Sequence, residues 1–168
     1  EYSTREDYSS IEEIVHPIIR EVIDDLKISK FIELKTFGFA SGGSGLGGSA
    51  SFMISLIAAL SKAFSITITN QEIVERACLI ELEKLNKPIG KQDQYLCGND
   101  GLNSFTFYAD DSVKTNRISL NKKLLLEKLT DDFYLIPTNK KRNSESILTN
   151  IKNQKESLDQ IVEIREIA

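Results

Sequence analysis

The chain has 168 residues, of which 40% are hydrophobic and 27% charged, and this balance predicts a globular protein with one core. Its net charge of -4 argues against a nucleic-acid binder, which would need a basic face to neutralise phosphates. The longest apolar run, residues 52–60, is far shorter than the roughly 20 residues that cross a bilayer, so we expect no membrane partner. With only two cysteines and no signal-peptide pattern, a cytoplasmic setting is expected, and the oligomeric state stays open.

The first predicted element is a helix over residues 10–27. Apolar residues recur there at helical spacing, and Ser9 or Ser10 can begin a capping box with a glutamate three positions later. Pro17 interrupts this pattern. Because proline suits the first turn of a helix and damages its interior, Pro17 predicts that the helix restarts at this position.

A glycine-rich segment separates a predicted strand, residues 31–39, from a predicted buried helix, residues 52–64. The segment, residues 41–51, holds five of the nine glycines. Strand, loop and helix in this order bring free backbone N–H groups and the positive end of a helix dipole to one point, which favours a phosphate. Glycine allows positive φ angles and close approach of an anion. A flexible linker or a tight turn is the competing interpretation.

Further along the chain, the pattern predicts one more long helix and a hairpin. Thr69 and Glu72 form a capping box in front of a helix over residues 70–86. Alternating residues predict two strands, 102–108 and 113–120, joined by a short polar turn. Three further elements are expected: a strand at 133–136 and helices at 121–129 and 144–168.

Two familiar phosphate-binding loops do not fit the glycine segment. A Walker A loop ends in Gly-Lys-Ser/Thr, but Gly48 is followed directly by Ser49. The spacing of Gly43, Gly45 and Gly48 matches the dinucleotide fingerprint, yet that motif also requires an acidic residue about 20 positions later. Residues 66–70 read Ile-Thr-Ile-Thr-Asn, so a dinucleotide-binding oxidoreductase is a weak alternative.

The letters of a third loop fit better. Residues 43–50, Gly-Ser-Gly-Leu-Gly-Gly-Ser-Ala, resemble the second conserved motif of the GHMP kinases, usually Gly-Leu-Gly-Ser-Ser-Ala. Further segments are similar to the branch of that family that phosphorylates heptose 7-phosphate: residues 16–21, Ile80-Glu81, Gly90-Lys91-Gln92-Asp93-Gln94-Tyr95 and 101–103. The resemblance covers roughly residues 2–150.

This resemblance implies an ATP-dependent and Mg²⁺-dependent kinase whose partner is a small sugar phosphate, with phosphate transferred to the anomeric hydroxyl of a heptose 7-phosphate. Ser49 and Glu81 match the family's metal-binding positions, and Asp93 its catalytic aspartate, which accepts or orients the proton of the sugar hydroxyl. Lys91 would add positive charge nearby. The backbone that would cradle the triphosphate belongs to Gly43, Ser44, Gly45, Leu46, Gly47, Gly48 and Ser49.

Each of these residues also has an ordinary structural interpretation. On sequence pattern alone, Glu81 is a solvated carboxylate on a charged helix, and Asp93 is a helix-start or turn residue. His16 is a helix cap or a packing group. Cys78 and Cys97 are expected to be buried small hydrophobic residues.

The expected fold is α+β, with a mainly antiparallel sheet packed against helices. The resemblance implies the GHMP kinase N-terminal, ribosomal protein S5 domain 2-like domain over residues 1–130, lacking its first strands, and the start of the C-terminal domain over 131–168. Ser41 replaces a usual proline and Gly48 the first serine of the loop, which predicts a looser loop and weaker nucleotide binding. Since the family's N-terminal substrate motif and third glycine-rich motif do not occur, a non-catalytic nucleotide-binding protein or an inactive fragment is the alternative.

Overall fold

The computed structural model describes residues 5–37 and 45–119, together with Glu127, Tyr134 and Ile136. In chain order these ranges contain a 3-10 turn (Ile11–Glu13), α1 (Pro17–Asp25), α2 (Gly48–Ala63), α3 (Asn70–Leu79), a π-helical turn (Ile80–Lys84), α4 (Gln92–Gly98), β1 (Asn103–Phe107) and β2 (Val113–Arg117). No helix in the described part of the chain is long and apolar enough to cross a membrane.

Helix α2 is the centre of the core, as its nearly uniform apolar composition predicts. It packs against α1, α3 and α4, and its residues Met53 and Ile57 are fully buried. Val22 of α1, Ala77 of α3 and Ile80 of the π-helical turn close around them. A helix surrounded on several sides needs apolar residues on all of those sides, which explains the composition of α2.

Helix α1 begins at Pro17, and this confirms the predicted restart. The His16 Nδ1 atom accepts a hydrogen bond from the backbone N–H of Ile19 at 3.4 Å, and its ring meets Phe52 edge-on at 5.4 Å. His16 is therefore both a cap and a packing group. The continuous helix over residues 10–27 is wrong. A proline ring collides with the carbonyl four residues earlier, so only a 3-10 turn precedes it and Ser10 makes no side-chain cap.

The strand predicted at residues 31–39 is absent over 31–37, and residues 38 and 39 lie outside the described ranges. Its alternation is present, because Ile32 and Leu34 pack against the core, while Phe31 and Phe37 are 77% and 82% exposed. A strand also needs a hydrogen-bonded neighbour. Within the described residues, β1 and β2 pair only with each other.

The predicted hairpin is confirmed. Strands β1 and β2 are antiparallel, with a register that runs from Asn103 opposite Arg117 to Phe107 opposite Val113. The ring of Tyr95 in α4 meets Phe105 and Phe107 edge-on at 5.9 and 5.8 Å, so the hairpin packs against a helix. The elements predicted at 121–129, 133–136 and 144–168 lie outside the continuously described residues.

Helix α3 has the predicted capping box, in which Thr69 and Glu72 satisfy each other's backbone N–H groups. The helix was expected to run to residue 86, but α3 ends at Leu79 and continues as the π-helical turn. There the N–H of Leu85 donates to the carbonyl of Ile80 at 2.8 Å. Such wider turns occur frequently at functional sites, and this one carries Glu81.

Candidate functional site

The glycine segment enters α2 in the geometry that its composition predicts. Gly45 and Gly47 have φ angles of 75° and 68°, in the left-handed region that strains residues with a Cβ. Gly47 is the N-cap of α2, and no described side chain caps this end of the helix. Free N–H groups at an uncapped helix N-terminus attract an anion. Leu46 is exposed beside them. The predicted phosphate-binding residues Gly43 and Ser44 lie outside the described residues.

The two predicted metal-binding residues are in direct contact. Ser49, in the first turn of α2, donates a hydrogen bond from its Oγ to Glu81 Oε1 at 2.8 Å. Glu81 is only 1% exposed, so the interpretation of this residue as a solvated carboxylate is wrong. Packing of α3 and its π-helical continuation against α1 and α2 turns Glu81 away from water. The two residues are 32 positions apart in the sequence, and only the folded structure brings them into contact.

The buried carboxylate of Glu81 has three polar partners. Its Oε1 atom accepts from Ser49 and also from Lys87 Nζ at 2.9 Å, and its Oε2 atom accepts from Gln94 Nε2. Burying a charge is costly unless it is paired and hydrogen-bonded, and these contacts meet that requirement. Gln94 is itself fully buried, and its Oε1 has no hydrogen-bond partner among the described residues.

Asp93 is exposed and lies in the first turn of α4, which agrees with its interpretation as a helix-start residue. Its neighbour Gln94 donates to Glu81, which links α4 to the contact between Ser49 and Glu81. One turn later, Cys97 Sγ lies 3.7 Å from the carbonyl oxygen of Gly47. Partial desolvation raises the pKa of the Cys97 thiol although the residue is exposed, and the charges of Asp93 and Glu81 raise this pKa further. The glycine loop and α4 are therefore in contact through this sulfur.

One expectation about a side chain needs correction. Cys97 is exposed, although Cys78 is buried as expected. Lys91, two residues before Asp93, donates from its Nζ to the Oδ1 and the backbone oxygen of Asp111 in the hairpin turn at 3.0 and 3.1 Å. The cation that does reach the site is Lys87, which sequence reasoning missed. Residues six positions apart are not neighbours on a regular helix, so the sequence does not predict this ion pair. The π-helical turn changes the path of the chain and brings the two side chains together.

The chemistry of these donors fits the groups that the sequence implies. Mg²⁺ prefers oxygen ligands and uses few protein side chains, often one or two carboxylates with phosphate oxygens and waters. Ser49 and Glu81 supply one hydroxyl and one carboxylate. No cluster of three or more His, Cys, Asp or Glu side chains occurs in the described part of the chain, so a metal bound here would need oxygens from a phosphate or from water. The neighbouring loop is where a phosphate fits.

Replacing Gly47 with alanine should lower the free energy of unfolding by about 1–2 kcal/mol, since a left-handed φ costs that much in a residue with a Cβ. The new Cβ would also lie 3.1 Å from Cys97 Sγ. Urea denaturation measures the change. Gly48→Ala is the matched control, because no atom lies within 4 Å of its added Cβ and its φ is not left-handed. Equal stability of the two variants would contradict the loop geometry.

Two comparisons with known proteins identify relatives of this chain. Residues 13–101, just over half of the chain, match the sequence profile of the GHMP kinases N terminal domain. The chain is also similar to D-glycero-alpha-D-manno-heptose 7-phosphate kinase of Campylobacter jejuni, with 31% identity over 128 residues. That alignment covers 76% of this chain but 38% of the length of the relative. The matched region contains Ser49, Glu81 and Asp93, and the chain belongs to the GHMP kinase family.

Proposed function

We propose that the protein containing this chain is an ATP-dependent and Mg²⁺-dependent sugar kinase whose acceptor is the anomeric hydroxyl of D-glycero-D-manno-heptose 7-phosphate. The observation that carries the proposal is the contact between Ser49 Oγ and buried Glu81, with the helix that holds Asp93 linked to the same carboxylate through Gln94. Family membership and the similarity to a heptose 7-phosphate kinase support the reaction class and the sugar.

Phosphoryl transfer requires bound phosphates, neutralised charge and an aligned acceptor hydroxyl, and Mg²⁺ supplies much of the neutralisation when it is bound with ATP. The backbone from Gly45 to Ser49 holds the phosphates at the N-terminus of α2. Ser49 and Glu81 provide oxygens for the metal. Asp93 is exposed at the start of α4, and it would accept or orient the hydroxyl proton of the acceptor.

A cavity between the start of α4 and the hairpin is a candidate place for the acceptor, although Ser49, Glu81 and Asp93 do not line it. Its volume is about 510 Å³, within the range typical of small-molecule sites. Gly90, Lys91 and Gln92, the three residues before Asp93, line one part of it, and Phe107 of the hairpin lines another. An aromatic face and polar side chains suit a sugar. We also propose that the complete domain adopts the ribosomal protein S5 domain 2-like fold, with β1 and β2 in its antiparallel sheet.

The test is ADP release by the complete protein, supplied with Mg²⁺ and ATP and with a panel of sugar phosphates that includes heptose 7-phosphate. We expect turnover that depends on the sugar and is highest with the heptose. Turnover with another sugar would support the kinase activity but show that the acceptor is not heptose 7-phosphate. ATP binding without turnover on any sugar would favour a non-catalytic nucleotide-binding protein, the alternative suggested by the changes at Ser41 and Gly48.

A further inference from the structure

The ammonium group of Lys87 contacts both of the oxygens proposed to bind the metal. Lys87 Nζ is 2.9 Å from Glu81 Oε1 and 3.3 Å from Ser49 Oγ. The backbone N–H of Lys87 also donates to the backbone oxygen of Glu81 at 2.9 Å. Glu81 therefore holds both the backbone N–H and the ammonium group of Lys87. With only 20% of its side chain exposed, Lys87 is a held component of the site.

The ammonium and a metal ion would compete for these oxygens. Mg²⁺ binds oxygen at about 2.0–2.1 Å, and Lys87 Nζ already lies within 3.3 Å of both Ser49 Oγ and Glu81 Oε1, so an ion in contact with both oxygens would lie close to the ammonium. Two cations in contact also repel each other strongly in a partly buried site. Metal binding would therefore favour displacement of the lysine from Glu81.

We propose that Lys87 is a resident counter-ion that neutralises Glu81 before the metal arrives and is displaced by it. The inference rests on the proposed metal role of Ser49 and Glu81. A buried carboxylate without a positively charged partner would destabilise the fold, and Lys87 supplies that charge in the metal-free protein. The same contact lowers the affinity for free metal, because binding must first break an ion pair. Metal entry together with the phosphates of a nucleotide is then favoured over entry alone.

The experiment measures Mn²⁺ binding to the complete protein without nucleotide, by the loss of the electron paramagnetic resonance signal of free Mn²⁺. Lys87→Met should tighten binding by about tenfold or more, since the metal then neutralises a buried charge that has lost its partner. Lys87→Arg keeps a competing cation and should bind no more tightly than the wild type. Lys84→Met is the matched control, because Lys84 pairs with Asp24 and should leave Mn²⁺ affinity unchanged.

Thermal unfolding gives a second readout that needs no activity. Without metal, Lys87→Met should melt at a lower temperature than the wild type. Added Mn²⁺ should raise the melting temperature of Lys87→Met by more than it raises that of the wild type. If Lys87→Met does not fold, Lys87→Gln, which keeps hydrogen-bond donors but no charge, replaces it with the same expected direction. Equal or weaker Mn²⁺ binding in the neutral variant would overturn the inference.

Glu81→Gln separates this inference from the proposed function. If Glu81→Gln abolishes Mn²⁺ binding in the wild-type background and Lys87→Met does not tighten it, the metal site stands and only the counter-ion role fails. If Mn²⁺ binding does not depend on Glu81 in any background, the proposed metal site and the role of Lys87 fail together.

Discussion

Asp93→Ala should lower kcat for sugar phosphorylation by about 10²–10⁴-fold, the usual contribution of a positioned general base. Because Asp93 is exposed and lies in the first turn of α4, its removal should leave the fold and the affinity for ATP close to those of the wild type. Single-turnover measurements of ADP formation with saturating sugar test the loss in the rate of phosphoryl transfer. A titration with ATP tests whether the affinity for ATP is unchanged.

Asp93→Asn refines this test, since it keeps the size of the side chain and removes its ability to accept a proton. It should be nearly as slow as Asp93→Ala. Asp100→Ala is a matched control, because Asp100 is an exposed carboxylate near the same helix whose ion pair is with Arg117 of β2. A loss of less than about threefold for Asp93→Ala would remove this residue from the proton transfer, because a general base contributes far more.

Glu81→Gln should raise the Mg²⁺ concentration that gives half-maximal activity by at least about 10–100-fold. Changing a residue that only hydrogen-bonds to a metal ligand already lowers metal affinity by this factor, and a direct ligand should matter at least as much. The substitution removes the charge but keeps an oxygen that can accept from buried Gln94, so the fold should persist. Activity measured against Mg²⁺ at fixed ATP shows the shift, and circular dichroism shows that the protein remains folded.

Glu83→Gln is the control for Glu81→Gln, because Glu83 lies in the same π-helical turn and is exposed. Its Mg²⁺ requirement should match the wild type. Glu81→Ala should differ from Glu81→Gln by lowering the free energy of unfolding by about 1–3 kcal/mol, the cost of leaving a buried amide without its partner. An unchanged Mg²⁺ requirement in Glu81→Gln would exclude Glu81 as a ligand.

The parts of the fold that sequence predicted correctly depend on local signals. Thr69 and Glu72 form their capping box within four residues, and Pro17 starts α1 because its own ring forbids a helix interior. The hairpin follows from alternation on both sides of a polar turn. The predicted strand at residues 31–39 failed over 31–37 because strand formation depends on a partner that the segment itself does not encode.

For the site, the sequence by itself determined the residue types: glycines that tolerate positive φ at positions 45 and 47, a serine in the first turn of α2, and carboxylates at positions 81 and 93. Only the tertiary structure decided which of them are in contact. Burial of Glu81, its contact with Ser49, its pairing with Lys87 and its link to Gln94 join residues on different elements. These contacts arise when packing of α2 against α3 and α4 removes water from a charge, and the charge must then find partners wherever the fold supplies them.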